Sequence, residues 1–310
     1  MTTPATPSLL DRVAGAPISW GVCEVPGWGW QYDPVTVLTE MREVGLRATE
    51  FGPDGFLPSD PAERARTLAR HGLQAVGQFV PVVLHDPGHD PVPDVQHSMT
   101  ALVAAGASTL VLAAGTGAEG YDERPVLDER GWSILLANLD RIDAAAAERG
   151  LTATLHPHVG TLVEDGDEVE RVLAGSGIGL CLDTGHLIIG GGDPVAVAVH
   201  HPARVAHVHL KDVDLARAGR VRSGEVSYTD AVRDGMYRPL GHGDVDIAAI
   251  VGALEGSGYA GWYVLEQDTI LRGDPSAPGG GQEPPVADVR TSLDHLRALG
   301  VPGADGGGVR

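Results

Sequence analysis

The sequence of 310 residues has little cysteine and little positive charge. Its two cysteines, Cys23 and Cys181, fit neither a zinc cluster nor a disulfide framework, and we expect two free thiols in a reducing compartment. Lysine and arginine number 22 against 42 aspartates and glutamates, so the formal net charge is −20. A surface this acidic repels phosphate backbones and anionic lipids, which argues against nucleic acid and membranes as partners.

Long apolar runs are missing as well. No stretch approaches the roughly 20 residues that span a bilayer, and the opening segment MTTPATPSLLDRVAGAP has no basic region followed by an apolar one. We therefore expect a cytoplasmic protein. The chain is 43% hydrophobic and long enough for one large α/β domain or two smaller ones.

What the sequence does contain is a repeated alternation of short apolar runs and helix-like stretches. Eight runs predict strands, at 18–24, 46–52, 73–80, 107–115, 151–156, 178–185, 204–212 and 261–268. Eight βα units favour a closed (β/α)8 TIM barrel over a doubly wound sheet. The loop after the first run, VPGWGWQYD, has tryptophans where a doubly wound fold usually has a glycine-rich phosphate loop.

The predicted barrel, with its C-terminal helix, spans 18–299. An N-terminal arm at 1–17 precedes it, and the glycine-rich tail at 300–310 is expected to be disordered. An extended loop at 213–243 separates the seventh strand from its helix. This loop contains Tyr228, Arg233 and Tyr237, and we expect it to cover the barrel mouth as a lid.

Polar residues close the predicted strands, where the functional end of a barrel lies. They are Glu50, Gln78, His156, His158, Asp183, His186, His207, His209, Lys211, Asp212, Glu266, Gln267 and Asp268. An acidic residue at one strand end is more often a helix cap or a salt-bridge partner, but an unpaired charge after an apolar run is costly, and here several strands share the pattern. The set predicts a divalent metal site. Mixed nitrogen and oxygen ligands suit Mn²⁺, Co²⁺, Fe²⁺ or Zn²⁺ better than Ca²⁺ or Mg²⁺, and the lack of thiolates argues against structural zinc.

Tryptophans gather around the first predicted strand. Trp20, Trp28 and Trp30 fit either a hydrophobic core or a wall on which a sugar ring stacks. The two readings stay open at this point.

Five segments resemble the inosose dehydratase family, within the wider xylose-isomerase-like sugar isomerase and epimerase barrels. They are ATEFGPDGFLP (48–58), HPHVGT (156–161), LDTGHLIIGGGDP (182–194), RVAHVHLKDV (204–213) and the block from PLGHGDVDIAA to WYVLEQD (239–268). The resemblance extends from about residue 18 to 299.

The resemblance implies a set of metal ligands. The superfamily holds its metal with Glu, Asp, His and Glu from successive strands, and Asp183, His209 and Glu266 match three of these. His156 falls on the remaining glutamate position, followed by His158. The exchange removes one of the two glutamates that epimerases use as an acid–base pair, and so favours dehydration.

The resemblance also implies a reaction, the dehydration of 2-keto-myo-inositol through an enediolate with Mn²⁺ or Co²⁺, or with Fe²⁺, Zn²⁺ or Mg²⁺. Base and acid are unranked among Glu50, His158, His186, Lys211 and Glu266. The three tryptophans, Gln78 and Tyr237 are candidate substrate contacts, and the family suggests homo-oligomers.

Three alternatives remain. The first is an isomerase, epimerase or β-eliminating lyase acting on another keto-sugar or 3-keto-glycoside. The second is a non-catalytic barrel that binds a sugar or a partner protein. The third is a hydrolytic endonuclease on the same barrel, which the acidic charge opposes.

Overall fold

The computed structural model describes residues 8–277 and 282–299. Eight parallel strands form the central sheet, and we number them in chain order. They are β1 Val13–Gly15, β2 Ala48–Thr49, β3 Gln74–Ala75 with Gly77–Val83, β4 Thr109–Gly115, β5 Thr152–Leu155, β6 Gly179–Asp183, β7 Val205–Leu210 and β8 Tyr263–Leu265.

The third strand closes the sheet into a barrel. Its first segment pairs with β2 and its second segment pairs with β4. Between the segments, the N–H of Val76 donates to the carbonyl of Thr49 at 3.1 Å, and its carbonyl accepts from the N–H of Thr109 at 3.2 Å. The remaining neighbours are joined in parallel around the ring. The predicted α/β TIM barrel is confirmed.

Eleven helices of the described residues surround and extend the barrel. They are α1 Pro34–Val44, α2 Pro61–Arg70, α3 Val92–Ala105, α4 Glu129–Ala147, α5 Gly166–Gly175, α6 Thr184–Ile189, α7 Pro194–His200, α8 Leu215–Arg222, α9 Tyr228–Arg233, α10 Ile247–Gly256 and α11 Val286–Leu299. Aspartates start most of them: the side chains of Asp33, Asp60 and Asp128, for example, accept from the first free backbone N–H groups of α1, α2 and α4. Within the described residues, no helix has the length and apolar character needed to cross a membrane.

The position of the first strand corrects the sequence prediction. The run at 18–24 forms no strand: a 3₁₀ helix covers Pro17–Trp20, and a loop follows it. The first strand is instead Val13–Gly15, which pairs with β8 and β2. Residues 13–15 therefore belong to the barrel rather than to an arm before it. The predicted tail at 300–310 lies outside the described residues.

The insertion after β7 is more regular than the predicted loop. It contains α8, α9 and an antiparallel pair formed by Asp212–Val213 and Tyr237–Arg238. The buried Asp212 carboxylate ties its two ends together by accepting from four backbone N–H groups, those of Val213, Gly241, Gly243 and Val245.

Candidate active site

Four strand ends bring the predicted metal ligands together. His156 follows β5, Asp183 ends β6, His209 lies in β7, and Glu266 follows β8. Their ligand atoms all lie within 4.8 Å of one another. Asp183 Oδ2 is 3.2 Å from His156 Nε2 and 3.7 Å from His209 Nδ1, and His209 Nδ1 is 2.5 Å from Glu266 Oε2.

Asp183 is both a helix cap and a candidate ligand. Its Oδ1 accepts from the backbone N–H groups of Gly185 at 2.9 Å and His186 at 2.7 Å, which starts α6. This arrangement leaves Oδ2 facing the other ligands. Burial would raise the pKa of Asp183, but the Lys211 ammonium and the neighbouring imidazoles together outweigh burial and hold that pKa well below its ordinary value.

Glu50 orients the ring of His209. Glu50 Oε1 is 3.0 Å from His209 Nε2 and 2.8 Å from His207 Nε2. Since an ionised carboxylate can only accept, His209 carries a proton on Nε2 and turns Nδ1 towards the ligand cluster. Burial would raise the pKa of Glu50, but the two imidazoles outweigh burial and lower it. Glu50 was predicted as a catalytic candidate. In the structure its carboxylate forms hydrogen bonds with these two imidazole rings.

The cluster fits a divalent cation. Three buried or nearly buried carboxylates, those of Asp183, Glu266 and Asp268, face the single ammonium of Lys211, and a fourth, that of Glu50, contacts the rings of His207 and His209. Such an excess of buried negative charge is costly without a further cation. His209 Nδ1 and Glu266 Oε2 lie 2.5 Å apart without a well-directed hydrogen bond, and both atoms belong to the ligand cluster. The donor set, two imidazoles and two carboxylates, suits a first-row divalent ion.

A second network surrounds Lys211. Lys211 Nζ is 2.5 Å from Asp268 Oδ1 and 2.9 Å from His186 Nε2. The hydroxyl of Tyr228, from the insertion, donates to the other Asp268 oxygen and lies 3.1 Å from the Tyr237 hydroxyl. Burial would lower the pKa of Lys211, but the neighbouring carboxylates, Asp183 first, raise it well above its ordinary value. Lys211 is therefore an ammonium ion.

Sequence reasoning placed Asp268 at the end of the eighth strand but gave it no role in the site. Asp268 comes two residues after Glu266, the spacing at which side chains of an extended segment share a face. A second signal was also present: Lys211 is the only lysine among the 310 residues, and the other 21 basic residues are arginines.

His158 presents a neutral imidazole to the cavity. Its Nδ1 lies 2.7 Å from the carbonyl oxygen of Val159, which can only accept, so the proton is on Nδ1 and the lone pair is on Nε2. The ring stacks on that of His186 with centroids 3.7 Å apart. Burial, together with His186, lowers the pKa of His158 well below its ordinary value.

The site opens into a cavity of about 330 Å³ at the barrel mouth. Lys211, His156, His158 and Glu266 line its polar side, while the apolar side is lined by Ile18, Val22, Trp28, Phe79, Val80 and Pro81. Gln78 also lines it, with a buried Oε1 that has no hydrogen-bond partner. A cavity of this size suits a ligand of one sugar ring.

Four predicted site residues, three substrate contacts and one catalytic candidate, do not line this cavity. Trp20 is a fully buried core residue whose indole N–H donates to Glu40 at 2.7 Å. Trp30 pairs with Leu271 through the backbone. His186 and Tyr237 lie behind the residues that line the cavity. His186 contacts Lys211, and the Tyr237 hydroxyl is 3.4 Å from His186 Nδ1. Apolar character alone could not separate core tryptophans from wall tryptophans.

Comparison with known proteins agrees with this architecture. Residues 38–299 match the xylose isomerase-like TIM barrel family, and the chain belongs to that family.

Within the family the chain is related to inosose dehydratases. It is 30% identical to the inosose dehydratase of Geobacillus thermodenitrificans, over 82% of this chain and 88% of that protein. It is also 34% identical to the rhizopine catabolism protein MocC of Rhizobium meliloti, over 84% of this chain and 83% of that protein. A crystal structure of the IolI protein with a zinc atom has the same fold, with a TM-score of 0.68 and 13% identity over 93% of this chain and 97% of that one.

Proposed function

We propose that this protein is a metal-dependent dehydratase that removes water from a keto-cyclitol of the inosose class. The observation that carries the proposal is the cluster of His156, Asp183, His209 and Glu266 beside a neutral imidazole and an ammonium ion, in a chain related to inosose dehydratases. These four side chains would hold the metal, for which we expect Mn²⁺ or Co²⁺. When bound, such an ion polarises a ketone oxygen and so acidifies the neighbouring C–H group.

His158 is the base in this proposal. Its Nε2 lone pair removes the proton from the carbon next to the ketone, which leaves an enediolate. The imidazolium that forms then protonates the departing β-hydroxyl as the C–O bond breaks, so that water leaves and the imidazole returns to its neutral form. A lowered pKa keeps His158 unprotonated before the reaction.

Lys211 stabilises the negative oxygen of the enediolate. Its ammonium is fixed by Asp268 and His186 and lines the cavity, so it needs no rearrangement when charge develops. The free Oε1 of Gln78 is an acceptor for a ring hydroxyl.

The site favours dehydration over epimerisation. An epimerase removes a proton from one face of a carbon and returns it on the other, which requires a base on each side. Here His156 takes the place of one of the glutamates, and Glu50 is held by His207 and His209. His158 is left as the base, and one base suffices for an elimination.

The test is an assay in D₂O with metal-stripped protein reloaded separately with Mn²⁺, Co²⁺, Zn²⁺ or Mg²⁺. 2-Keto-myo-inositol, a 3-keto-glycoside and a ketose are followed by NMR. We expect loss of water from the keto-inositol and formation of a dione. Exchange of the α-hydrogen without loss of water, or turnover of the ketose alone, would instead support an isomerase or epimerase.

A further inference from the structure

The ammonium of Lys211 contacts two of the three members of a second group of candidate metal ligands. His158, His186 and Asp268 place one ligand atom each within 4.8 Å of one another, and all three are buried. Lys211 Nζ is 2.5 Å from Asp268 Oδ1 and 2.9 Å from His186 Nε2. Two imidazoles and a carboxylate are a donor set for a first-row divalent ion.

The same ammonium also reaches the first ligand cluster. Lys211 Nζ is 3.5 Å from Asp183 Oδ2 and 3.8 Å from Glu266 Oε2. In two-metal sites, the two cations lie about 3.5–4 Å apart and clamp the same substrate oxygens. Lys211 Nζ thus lies beside two carboxylate oxygens of the first ligand cluster, as the second cation of a two-metal site would.

We propose that Lys211 fills a latent second site for a divalent metal, and that its ammonium is the second cation of the active centre. The charge that a second metal would supply is built into the chain, so the native protein binds one metal. The consequence for catalysis, an ammonium that assists one metal, rests on the proposed function.

The choice of lysine fits this assignment. The chain uses arginine at 21 positions and lysine at this one alone. A guanidinium is planar and extended, whereas an ammonium is a compact point charge comparable with an ion in a coordination site. On the far side, Tyr228 donates to Asp268 Oδ2, which holds that carboxylate in place independently of Lys211.

The experiment is a count of bound metal after dialysis against Mn²⁺, by elemental analysis of each variant. We expect one Mn²⁺ per chain in the native protein and two in Lys211→Ala, with an EPR signal of coupled manganese in the variant. Lys211→Met is the matched control, because it removes the charge but fills the space, and it is expected to bind one. Lys211→Ala combined with Asp268→Asn is also expected to return to one.

One Mn²⁺ in Lys211→Ala would overturn the proposal and leave Lys211 as a salt-bridge partner. Lys211→Ser serves as a second space-opening variant. Both are expressed with Mn²⁺ present, which should restore the charge balance, so failure of both to fold under these conditions would also contradict the proposal. The metal count does not depend on turnover. Failure of the native protein to dehydrate keto-inositol would overturn the proposed function and leave this inference standing.

Discussion

His156 and His158, two residues apart after strand β5, have different roles. His156 points Nε2 at Asp183, at 3.2 Å, whereas His158 donates through Nδ1 to the backbone and keeps a lone pair on Nε2. The sequence HPH could not separate these tasks, because the hydrogen bond that fixes each ring comes from elsewhere in the fold. It did predict that both would lie at the barrel mouth, because the carboxyl ends of parallel strands meet there.

Replacement of His158 by Asn tests its assignment as the base. We expect kcat to fall about 10²- to 10⁴-fold, because proton transfer by a positioned side chain contributes that much. Metal content should stay the same, since His158 is not among the four predicted ligands. The exposed His200 provides the matched control, and His200→Asn is expected to leave kcat unchanged. Full activity in His158→Asn would contradict the assignment.

The thiol of Cys23 gives a prediction on pH. Burial, and then the neighbouring Glu24, raise the pKa of Cys23 far above its ordinary value, so its thiolate fraction stays negligible through pH 9. We expect no alkylation by iodoacetamide in the native protein between pH 7 and 9. In denaturant the pKa returns to about 8.5 and labelling should rise with pH. Mass spectrometry measures the labelling. Alkylation of Cys23 in the native protein at pH 7.5 would contradict the prediction.

At the scale of elements, helix α6 and the metal site share one residue. Asp183→Asn keeps an oxygen to cap the helix but loses the charge, whereas Asp183→Ala loses both. We expect both variants to lose metal in elemental analysis. The alanine variant should be less stable than the asparagine variant by about 1 kcal/mol, the usual cost of a lost cap. Urea unfolding of the metal-free proteins measures the difference, and equal stabilities would show that the cap contributes nothing.

The insertion between β7 and α10 depends on one buried carboxylate. An asparagine at position 212 would turn its amide towards backbone N–H groups, so some of the four donors would lose their acceptor. We expect Asp212→Asn to lower stability by about 1–3 kcal/mol for each donor left unpaired, and to make residues 214–240 sensitive to protease. Asp230→Asn, at an exposed position in α9, is the control. If residues 214–240 of Asp212→Asn resisted protease as they do in the native protein, this account would be contradicted.

Element prediction succeeded where the pattern was long and failed where it was short. The strands β4 to β7 were predicted within a few residues, because each lies in an apolar run of six residues or more. The strand Val13–Gly15 has three residues, too few for any pattern, and the more apolar run at 18–24 was chosen instead. The helices of the insertion were missed because they are short and polar.

At the scale of the whole molecule, the chain and its site share an excess of carboxylates over basic groups. The sequence has 42 acidic residues, some of which, such as Asp33, Asp60 and Asp128, cap helices, and three carboxylates meet in the interior around one lysine. This imbalance is what a divalent cation would correct, and it could be expected from sequence once the strand ends were known to converge. The network through Asp268 and Tyr228 could not, because it joins β8 to an insertion whose fold the sequence left open.

The most direct test of the central claim is an NMR time course of 2-keto-myo-inositol with Mn²⁺-loaded native protein. The metal-stripped protein and Mn²⁺-treated Asp183→Asn serve as controls. We predict that the loaded native protein forms the dione and that both controls are inactive. Unchanged keto-inositol in the presence of native protein that holds one Mn²⁺ per chain would contradict the claim.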